Sequence, residues 1–239
     1  IVTHLQARQD VDDVDSNGNS TASALEDQEK RVRQAVAVAL QVQSLQRTGT
    51  VQTSLQPSML NFSPQLSALP TPLIVVGDFN AYQFTDGFAD LVGMISGRYD
   101  FDANVWDLSD LTKWNLNPVN PPLTDNNLVN PPLWNAVNSL PENEQYSYLY
   151  APNFGPIQGY GLGGEGSRKV PTDQVLDHAL LNTAARAVFV RMDYGRANED
   201  AASEDEKNST GAIGVSDHDG FVIQLTFDRI FANGFDISN

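Results

Sequence analysis

The sequence contains no cysteine, and this absence excludes several kinds of chemistry at once. Without cysteine the 239-residue chain can form no disulfide bond, no zinc–thiolate site and no thiol nucleophile. Only three histidines are present, so proton transfer near neutral pH falls on a very small set of side chains. The chain also lacks an apolar run of the roughly 20 residues that span a bilayer. The residues after Ile1 do not have the pattern of a signal peptide.

Basic residues are scarce as well. The chain has 14 lysines and arginines against 30 aspartates and glutamates, which gives a net charge of −16. Such a surface repels phosphates, and it lacks the basic patch that is typical of nucleic-acid-binding proteins. A bound divalent cation would reverse the sign of the charge locally.

A long amphipathic helix is the clearest element of the first fifty residues. Ser23 and Glu26 form a capping-box pattern, in which each side chain would accept the other residue's backbone N–H. Apolar residues then recur with helical spacing from Leu25 to Arg47, and Gly49 follows as a typical helix end.

Buried strands are predicted in the rest of the chain. Residues 71–77 form a short apolar run, typical of a strand buried on both faces, which ends directly on Asp78. A second helix is predicted after Thr85 or Asp86, with an apolar face of Phe88, Leu91, Val92 and Ile95. Further strands are predicted at residues 146–150, 175–181, 187–192 and 221–227. This mixture of buried strands and amphipathic helices predicts an α/β domain.

Four short segments carry the residues of hydrolytic chemistry, and all three histidines fall within them. The segments are Thr3-His4, Gly77-Asp78-Phe79-Asn80, Leu176-Asp177-His178 and Ser216-Asp217-His218. Carboxylates at strand ends hold hard cations such as Mg²⁺. A site with Asp, Asn and His but no Cys is therefore suited to metal-assisted hydrolysis of phosphoesters. Asp177 and His178 are adjacent in a predicted strand and point to opposite faces, so only one of them can face such a site.

Taken in order, the last three segments resemble the signature of the endonuclease/exonuclease/phosphatase superfamily, which includes pancreatic deoxyribonuclease. His4 matches the family's histidine upstream of the Gly-Asp-Phe-Asn motif. The longer runs 77–82 and 216–220, together with Tyr146-Ser147-Tyr148, are most similar to secreted bacterial nuclease-like members. The resemblance covers residues 1 to about 228 and leaves residues 229–239 as a tail or linker.

The resemblance implies a two-sheet β-sandwich flanked by helices, in four α/β/β/α layers, and a set of catalytic residues. These are His4, Asp78, Asn80, Asp177 and His218. Asp78 would position or deprotonate the attacking water, and Asn80 would hydrogen-bond a phosphate oxygen. His218 would act as a base or stabilise charge, oriented by Asp177.

The resemblance also implies a divalent cation, Mg²⁺ or alternatively Mn²⁺ or Ca²⁺. Asp217 would lie near it as a ligand or as a neighbour of the ligands. His4 would contact the phosphate or assist the leaving group. Of the two adjacent strand residues, Asp177 is the one that would face the site. His178 is then expected to be packed or on the surface.

The chain departs from the family pattern at its beginning. The family uses an Asn and a metal-binding Glu on strands that precede the position of His4, and only three residues precede it here. We therefore expect the chain to be the C-terminal portion of the domain, processed or trimmed at Ile1, with its N-terminal strands missing. A preceding segment or a second chain would complete the fold and supply the Glu.

Three functions follow as hypotheses. The first is a secreted, extracellular or periplasmic nuclease that hydrolyses phosphodiesters with metal-activated water. The second is a phosphatase or phospholipase of the same fold, which the charge of −16 favours. The third is a non-catalytic module of a larger secreted protein, which the missing Glu favours.

Overall fold

The computed structural model describes residues 1–7, 11–49, 71–83, 88–99, 127–150, 172–196 and 218–226, and they form a mixed α/β structure. The strands are β1 Val2–His4, β2 Ile74–Asp78, β3 Trp134–Asn135, β4 Tyr148–Tyr150, β5 Thr172–Gln174, β6 Asp177–Leu181, β7 Phe189–Tyr194 and β8 Phe221–Leu225. The α-helices are α1 Ala22–Thr48, α2 Leu91–Ser96 and α3 Thr183–Val188, with 3₁₀ turns at Ala136–Ser139 and Glu142–Glu144. The α/β class predicted from the sequence is confirmed.

Four of these strands form one sheet in the order β1-β2-β6-β3. The pair β1–β2 is parallel, whereas β6 runs antiparallel to both β2 and β3. The strands β4 and β5 form an antiparallel pair, and so do β7 and β8. Because parallel neighbours need a crossover connection, α1 provides the link between β1 and β2.

The α1 helix begins earlier than its capping pattern predicted. The Oγ1 of Thr21 accepts the backbone N–H of Ala24 at 3.1 Å, so Thr21 is the N-cap. Ser23 already lies inside the first turn, and the predicted capping box with Glu26 is therefore wrong. The predicted end is confirmed, because Gly49 adopts a left-handed φ of 70° and donates its N–H to the carbonyl of Leu45.

The four-stranded sheet is covered by apolar side chains on both faces. Val75 and Leu180 belong to a core cluster with the apolar faces of α1 and α2. Their neighbours Val76, Ala179 and Leu181 pack in a second cluster, which includes side chains of β7 and β8. Since alternate strand residues point to opposite faces, the helices lie over one face and the β7–β8 pair lies over the other. The strand predicted at residues 71–77 is therefore present with apolar packing on both sides, but it covers Ile74–Asp78, and Val75 is its one fully buried residue.

The α2 helix is capped by Asp90, whose Oδ1 accepts the N–H of Gly93 at 2.7 Å. Thr85 and Asp86, the predicted caps, lie outside the described residues. The helix begins at Leu91, so the predicted start after Thr85 or Asp86 is wrong; Leu91, Val92 and Ile95 are buried on α2, and Phe88 is buried just before it. The α3 helix was not predicted, and it occupies the start of the strand expected at residues 187–192. Asn182 caps α3 by accepting the N–H of Ala185 at 2.8 Å.

No helix in the described ranges combines the length and the apolar character that a membrane span requires. The predicted tail, residues 229–239, lies outside those ranges.

Candidate active site

The sheet topology brings His4, Asp78 and Asp177 to one end of three neighbouring strands. His4 and Asp78 are register partners at the carboxyl ends of the parallel strands β1 and β2. The antiparallel strand β6 begins at this end, and its first residue, Asp177, is the register partner of Asp78. Residues that are distant in sequence therefore meet because of strand direction and register.

The close approach of β1 to β2 depends on Gly77. This residue has a φ of +142°, and a Cβ atom built on it would lie 1.9 Å from the carbonyl oxygen of Thr3. Any side chain at this position would collide with the β1 backbone, and only glycine adopts this φ without strain. The glycine of the Gly77-Asp78 pair thus sets the register that places Asp78 beside His4.

Asp177 and His218 form a hydrogen-bonded pair. The Nδ1 of His218 lies 2.7 Å from Oδ2 of Asp177, and its Nε2 lies 4.0 Å from Oδ2 of Asp78. Because an ionised carboxylate only accepts hydrogen bonds, Nδ1 carries the proton of this bond, and Nε2 is the ring nitrogen that lies near Asp78. The ring of Tyr148 flanks His218, with the two centroids 5.0 Å apart.

Asp78 is held by Asn80 through two hydrogen bonds. The backbone N–H of Asn80 donates to Oδ1 of Asp78 at 2.7 Å, and its side-chain amide donates to Oδ2 at 2.8 Å. The same amide donates to the carbonyl of Leu5 at 3.0 Å, so both amide hydrogens are engaged. Asn80 therefore positions Asp78 in this structure, and a contact from its amide to a phosphate would require one of these bonds to be exchanged.

Burial raises the pKa of Asp78 above its ordinary value, and the negative charge of Asp177 acts in the same direction. The backbone N–H of Asn80 and the nearby imidazoles of His218 and His4 oppose this rise. A carboxylate with a raised pKa is a better proton acceptor, which is what a general base requires. Asp78 thus has the environment for the role predicted for it.

His4 lies at the outer rim of the site. Its Nε2 is 3.3 Å from Oδ2 of Asp78, and 76% of its side chain is exposed. The imidazole is therefore accessible from solvent while it stays within reach of Asp78.

The described residues include one group of side chains that could hold a metal ion. Asp78, Asp177 and His218 each offer a ligand atom, and these atoms lie within 4.8 Å of one another. Two carboxylates and an imidazole suit Mn²⁺, and the carboxylates suit Mg²⁺ as well. The donor set therefore fits a divalent cation. Asp217, the residue predicted to lie near the metal, is outside the described residues.

His178 is packed in the core and takes no part in this cluster. Its Nε2 lies 2.9 Å from the carbonyl oxygen of Ala81, and its Nδ1 lies 3.0 Å from the side-chain nitrogen of Asn135. Because a carbonyl only accepts, Nε2 carries the proton and Nδ1 accepts from Asn135. The choice of Asp177 over His178 as the residue that faces the site is therefore in agreement with the structure.

Arg31 supports the site from α1 and was missed in the sequence. The side chain is fully buried, and its guanidinium donates to the carbonyl of Gln6 and, at 2.6 Å, to the carbonyl of Asn80. These carbonyls belong to the loops that follow β1 and β2, so one cation ties the two loops together. The sequence did contain one indication that Arg31 is buried: it lies four residues before Ala35 and therefore on the same, buried face of α1.

A second group of supporting residues lies beside Asp177 and His218. Asp219 is fully buried and pairs with Arg196, with Nη1 and Oδ2 separated by 3.1 Å. The hydroxyl of Tyr194 donates to the backbone carbonyl of Asp177. These contacts fix the segments that carry Asp177 and His218. Asp219 lies in the run 216–220 that resembles the family, but nothing in the sequence pattern identified Arg196 and Tyr194, because most of their partners are backbone atoms.

The chain matches no family model, no curated protein and no solved structure. Membership of the endonuclease/exonuclease/phosphatase superfamily therefore rests on the motifs of the chain and stays a prediction.

Proposed function

We propose that this chain is a metal-dependent phosphodiester hydrolase, and that it acts as a secreted nuclease. The observation that carries the proposal is the convergence of Asp78, Asp177 and His218, whose ligand atoms lie within 4.8 Å of one another. A divalent cation held by these residues would neutralise phosphate charge and lower the pKa of a water molecule. The cluster combines a cation site and a proton-transfer pair, which are the two requirements of this chemistry.

Separate residues of the site would carry out the separate parts of proton transfer. Asp78, with its raised pKa and its two hydrogen bonds from Asn80, is poised to orient water and to accept its proton. Asp177 holds His218 in the tautomer with the proton on Nδ1 and would stabilise the ring when it becomes charged. His4, at the exposed rim, is placed to contact the phosphate.

The proposal includes a further strand at the edge of the four-stranded sheet. Among the described strands, β1 is the last on its side, and Val2 in this strand is 84% exposed. An open edge presents unpaired N–H and C=O groups and readily accepts another strand. A preceding segment or a second chain would fill this edge, complete the four-layer sandwich and bring a metal-binding Glu to the site, where Asp217 would join it.

The charge of the chain favours a second candidate. With a net charge of −16, the protein as a whole repels a polyanion more strongly than a small phosphoester. A phosphatase or phospholipase that uses the same residues is therefore the alternative to a nuclease.

The proposal is tested by measuring hydrolysis with Mg²⁺, Mn²⁺ or Ca²⁺ and again in excess EDTA. The substrates are DNA, RNA, a phospholipid and chromogenic phosphate monoesters and diesters. We expect diester hydrolysis that EDTA abolishes. Monoester or phospholipid hydrolysis alone would select the second candidate, and full activity in EDTA would exclude the metal mechanism. The absence of any hydrolysis, with the upstream region present or absent, would favour a non-catalytic module.

The further strand is tested by purifying residues 1–239 with and without the upstream region of the parent protein. The longer protein should have the higher melting temperature and should carry the metal-dependent activity. Equal stability and equal activity of the two would show that no further strand is needed.

A further inference from the structure

The segment Tyr146-Ser147-Tyr148 contacts both the start of β6, which carries Asp177, and the segment that carries His218. Ser147 within it is fully buried. The Oγ of Ser147 accepts the backbone N–H of Leu176 at 3.1 Å and that of Asp177 at 3.0 Å. A hydroxyl oxygen has two lone pairs, and both are used here. The side chain of Ser147 therefore fixes the backbone at the start of β6, where Asp177 is located.

The backbone of Ser147 is hydrogen-bonded to the segment that carries His218. Its carbonyl accepts the N–H of Asp219 at 2.8 Å, and its N–H donates to the carbonyl of Gln174 at 2.9 Å. Asp219 directly follows His218 in the chain. One residue thus contacts the backbone of Asp177 through its side chain and the His218–Asp219 segment through its carbonyl.

We infer that Ser147 is a positioning residue that sets the hydrogen bond between Asp177 and His218. That bond favours a proton on Nδ1 of His218 and holds the ring with its Nε2 4.0 Å from Oδ2 of Asp78. The consequence for catalysis rests on the proposed function, whereas the effect on His218 itself does not. Ser147 touches neither the cluster of ligand atoms nor the reacting groups, so its contribution passes through the pair.

The two contacts of Ser147 can be separated by substitution. In Ser147→Ala the carbonyl bond to Asp219 remains, while the N–H groups of Leu176 and Asp177 lose their acceptor. A buried and a partly buried N–H group without an acceptor are costly, so the start of β6 moves to find other partners. His218 stays in place while Asp177 shifts, and the alignment of the pair is lost.

The test compares the wild type with Ser147→Ala and Ser147→Cys in the full chain with the metal removed by EDTA. Cysteine keeps nearly the same shape but is a weak acceptor, so this variant decides the question if the alanine variant does not fold. Ser96→Ala is the matched control, because it removes another buried serine hydroxyl, in α2 and away from the site. The tautomer of His218 is read from long-range ¹H–¹⁵N NMR spectra of the imidazole.

We expect the Nδ1–H tautomer in the wild type and in the control, and a gain of the Nε2–H tautomer in both Ser147 variants. The turnover number of the metal-loaded protein should fall by about 10- to 100-fold with little change in KM, as for a misplaced catalytic group. Ser147→Thr, which keeps the hydroxyl oxygen, should restore the Nδ1–H tautomer. An unchanged tautomer in the alanine or cysteine variant would overturn the inference, whatever the hydrolysis assays give. Absence of hydrolysis in the wild type would count against the proposed function alone.

Discussion

Asn80 donates two hydrogen bonds to Asp78, one from its backbone N–H to Oδ1 and one from its side-chain amide to Oδ2. To do so it adopts a left-handed φ of 46°, a region that asparagine tolerates better than most residues. The two residues therefore form one unit, in which the conformation of Asn80 fixes the plane of the carboxylate.

This unit predicts different outcomes for two substitutions of Asn80. Asn80→Gly removes the amide but accepts the positive φ, whereas Asn80→Ala removes the amide and adds backbone strain of about 1 kcal/mol. Both variants should hydrolyse substrate more slowly, because Asp78 loses the side-chain hydrogen bond to Oδ2 and keeps only the backbone bond to Oδ1. Only the alanine variant should be clearly less stable in urea denaturation. Equal denaturation midpoints would show that the backbone at position 80 is not strained by a side chain.

The raised pKa of Asp78 predicts the pH dependence of stability in the metal-free protein. Between the ordinary value of 3.8 and the raised pKa, the folded state binds more protons than the unfolded state. The free energy of unfolding of the wild type, relative to that of Asp78→Asn, should therefore fall as pH rises through this window and then level off. Denaturation in EDTA across the acidic range measures this difference.

Asp15 provides a control of opposite sign. Its Oδ1 accepts the backbone N–H groups of Asn19 and Asn17, and these bonds lower the pKa of Asp15. The stability of the wild type relative to Asp15→Asn should therefore be present above 3.8 and be lost as pH falls through the lowered pKa. If the difference in unfolding free energy changed with pH in the same direction for both pairs of proteins, the change could not be assigned to burial of Asp78.

Arg31 is predicted to stabilise the loops beneath the site. Arg31→Met should lower the free energy of unfolding by about 2 to 4 kcal/mol, because the carbonyls of Gln6 and Asn80 lose a buried donor. The matched control is Arg33→Met on the same helix, which removes an exposed pair with Glu29. Arg33→Met should lower the free energy of unfolding by less than about 0.5 kcal/mol. Chemical denaturation checks both values, and equal losses would show that the burial of Arg31 has no special effect.

The buried His178 and the half-buried His218 should respond to substitution in opposite ways. His178→Phe leaves the carbonyl of Ala81 and the amide of Asn135 without a partner, and it should cost about 2 to 3 kcal/mol of stability. Its turnover number per folded molecule should stay close to that of the wild type. His218→Ala should lower turnover by about 10² to 10⁴ and leave the fold intact. Thermal melts measure the stability of the two variants, and single-substrate kinetics measure their turnover. Normal turnover in His218→Ala would show that His218 has a structural role only.

The parts of the fold that follow from local patterns could be predicted from the sequence. The buried face of α1, from Val32 to Leu40, repeats with helical spacing, and Gly49 ends the helix because it alone adopts φ above zero easily. The opposite orientation of Asp177 and His178 follows from strand geometry, whichever of the two faces the site. These features depend on a few neighbouring residues.

The features that depend on distant backbone atoms could not be predicted. Thr21 and Ser23 have nearly the same capping chemistry. Which of them caps α1 depends on the path of the preceding loop, in which the N–H of Thr21 donates to the carbonyl of Asp13. Arg31 has a charge that normally indicates exposure, and its partners are carbonyls, which every residue carries. Ser147 likewise acts on N–H groups that the sequence does not distinguish.

The order of strands in the four-stranded sheet has a consequence for synthesis of the protein. β1, α1 and β2 all precede β6 in the chain, so they are synthesised before the antiparallel partner of β2. β6 joins β2 only after a long interval, and His218 comes later still. A nascent chain can therefore bury much of its helical core before it has a complete site. The proposed hydrolytic activity needs Asp177 and His218, so a nascent chain would acquire it only late in synthesis.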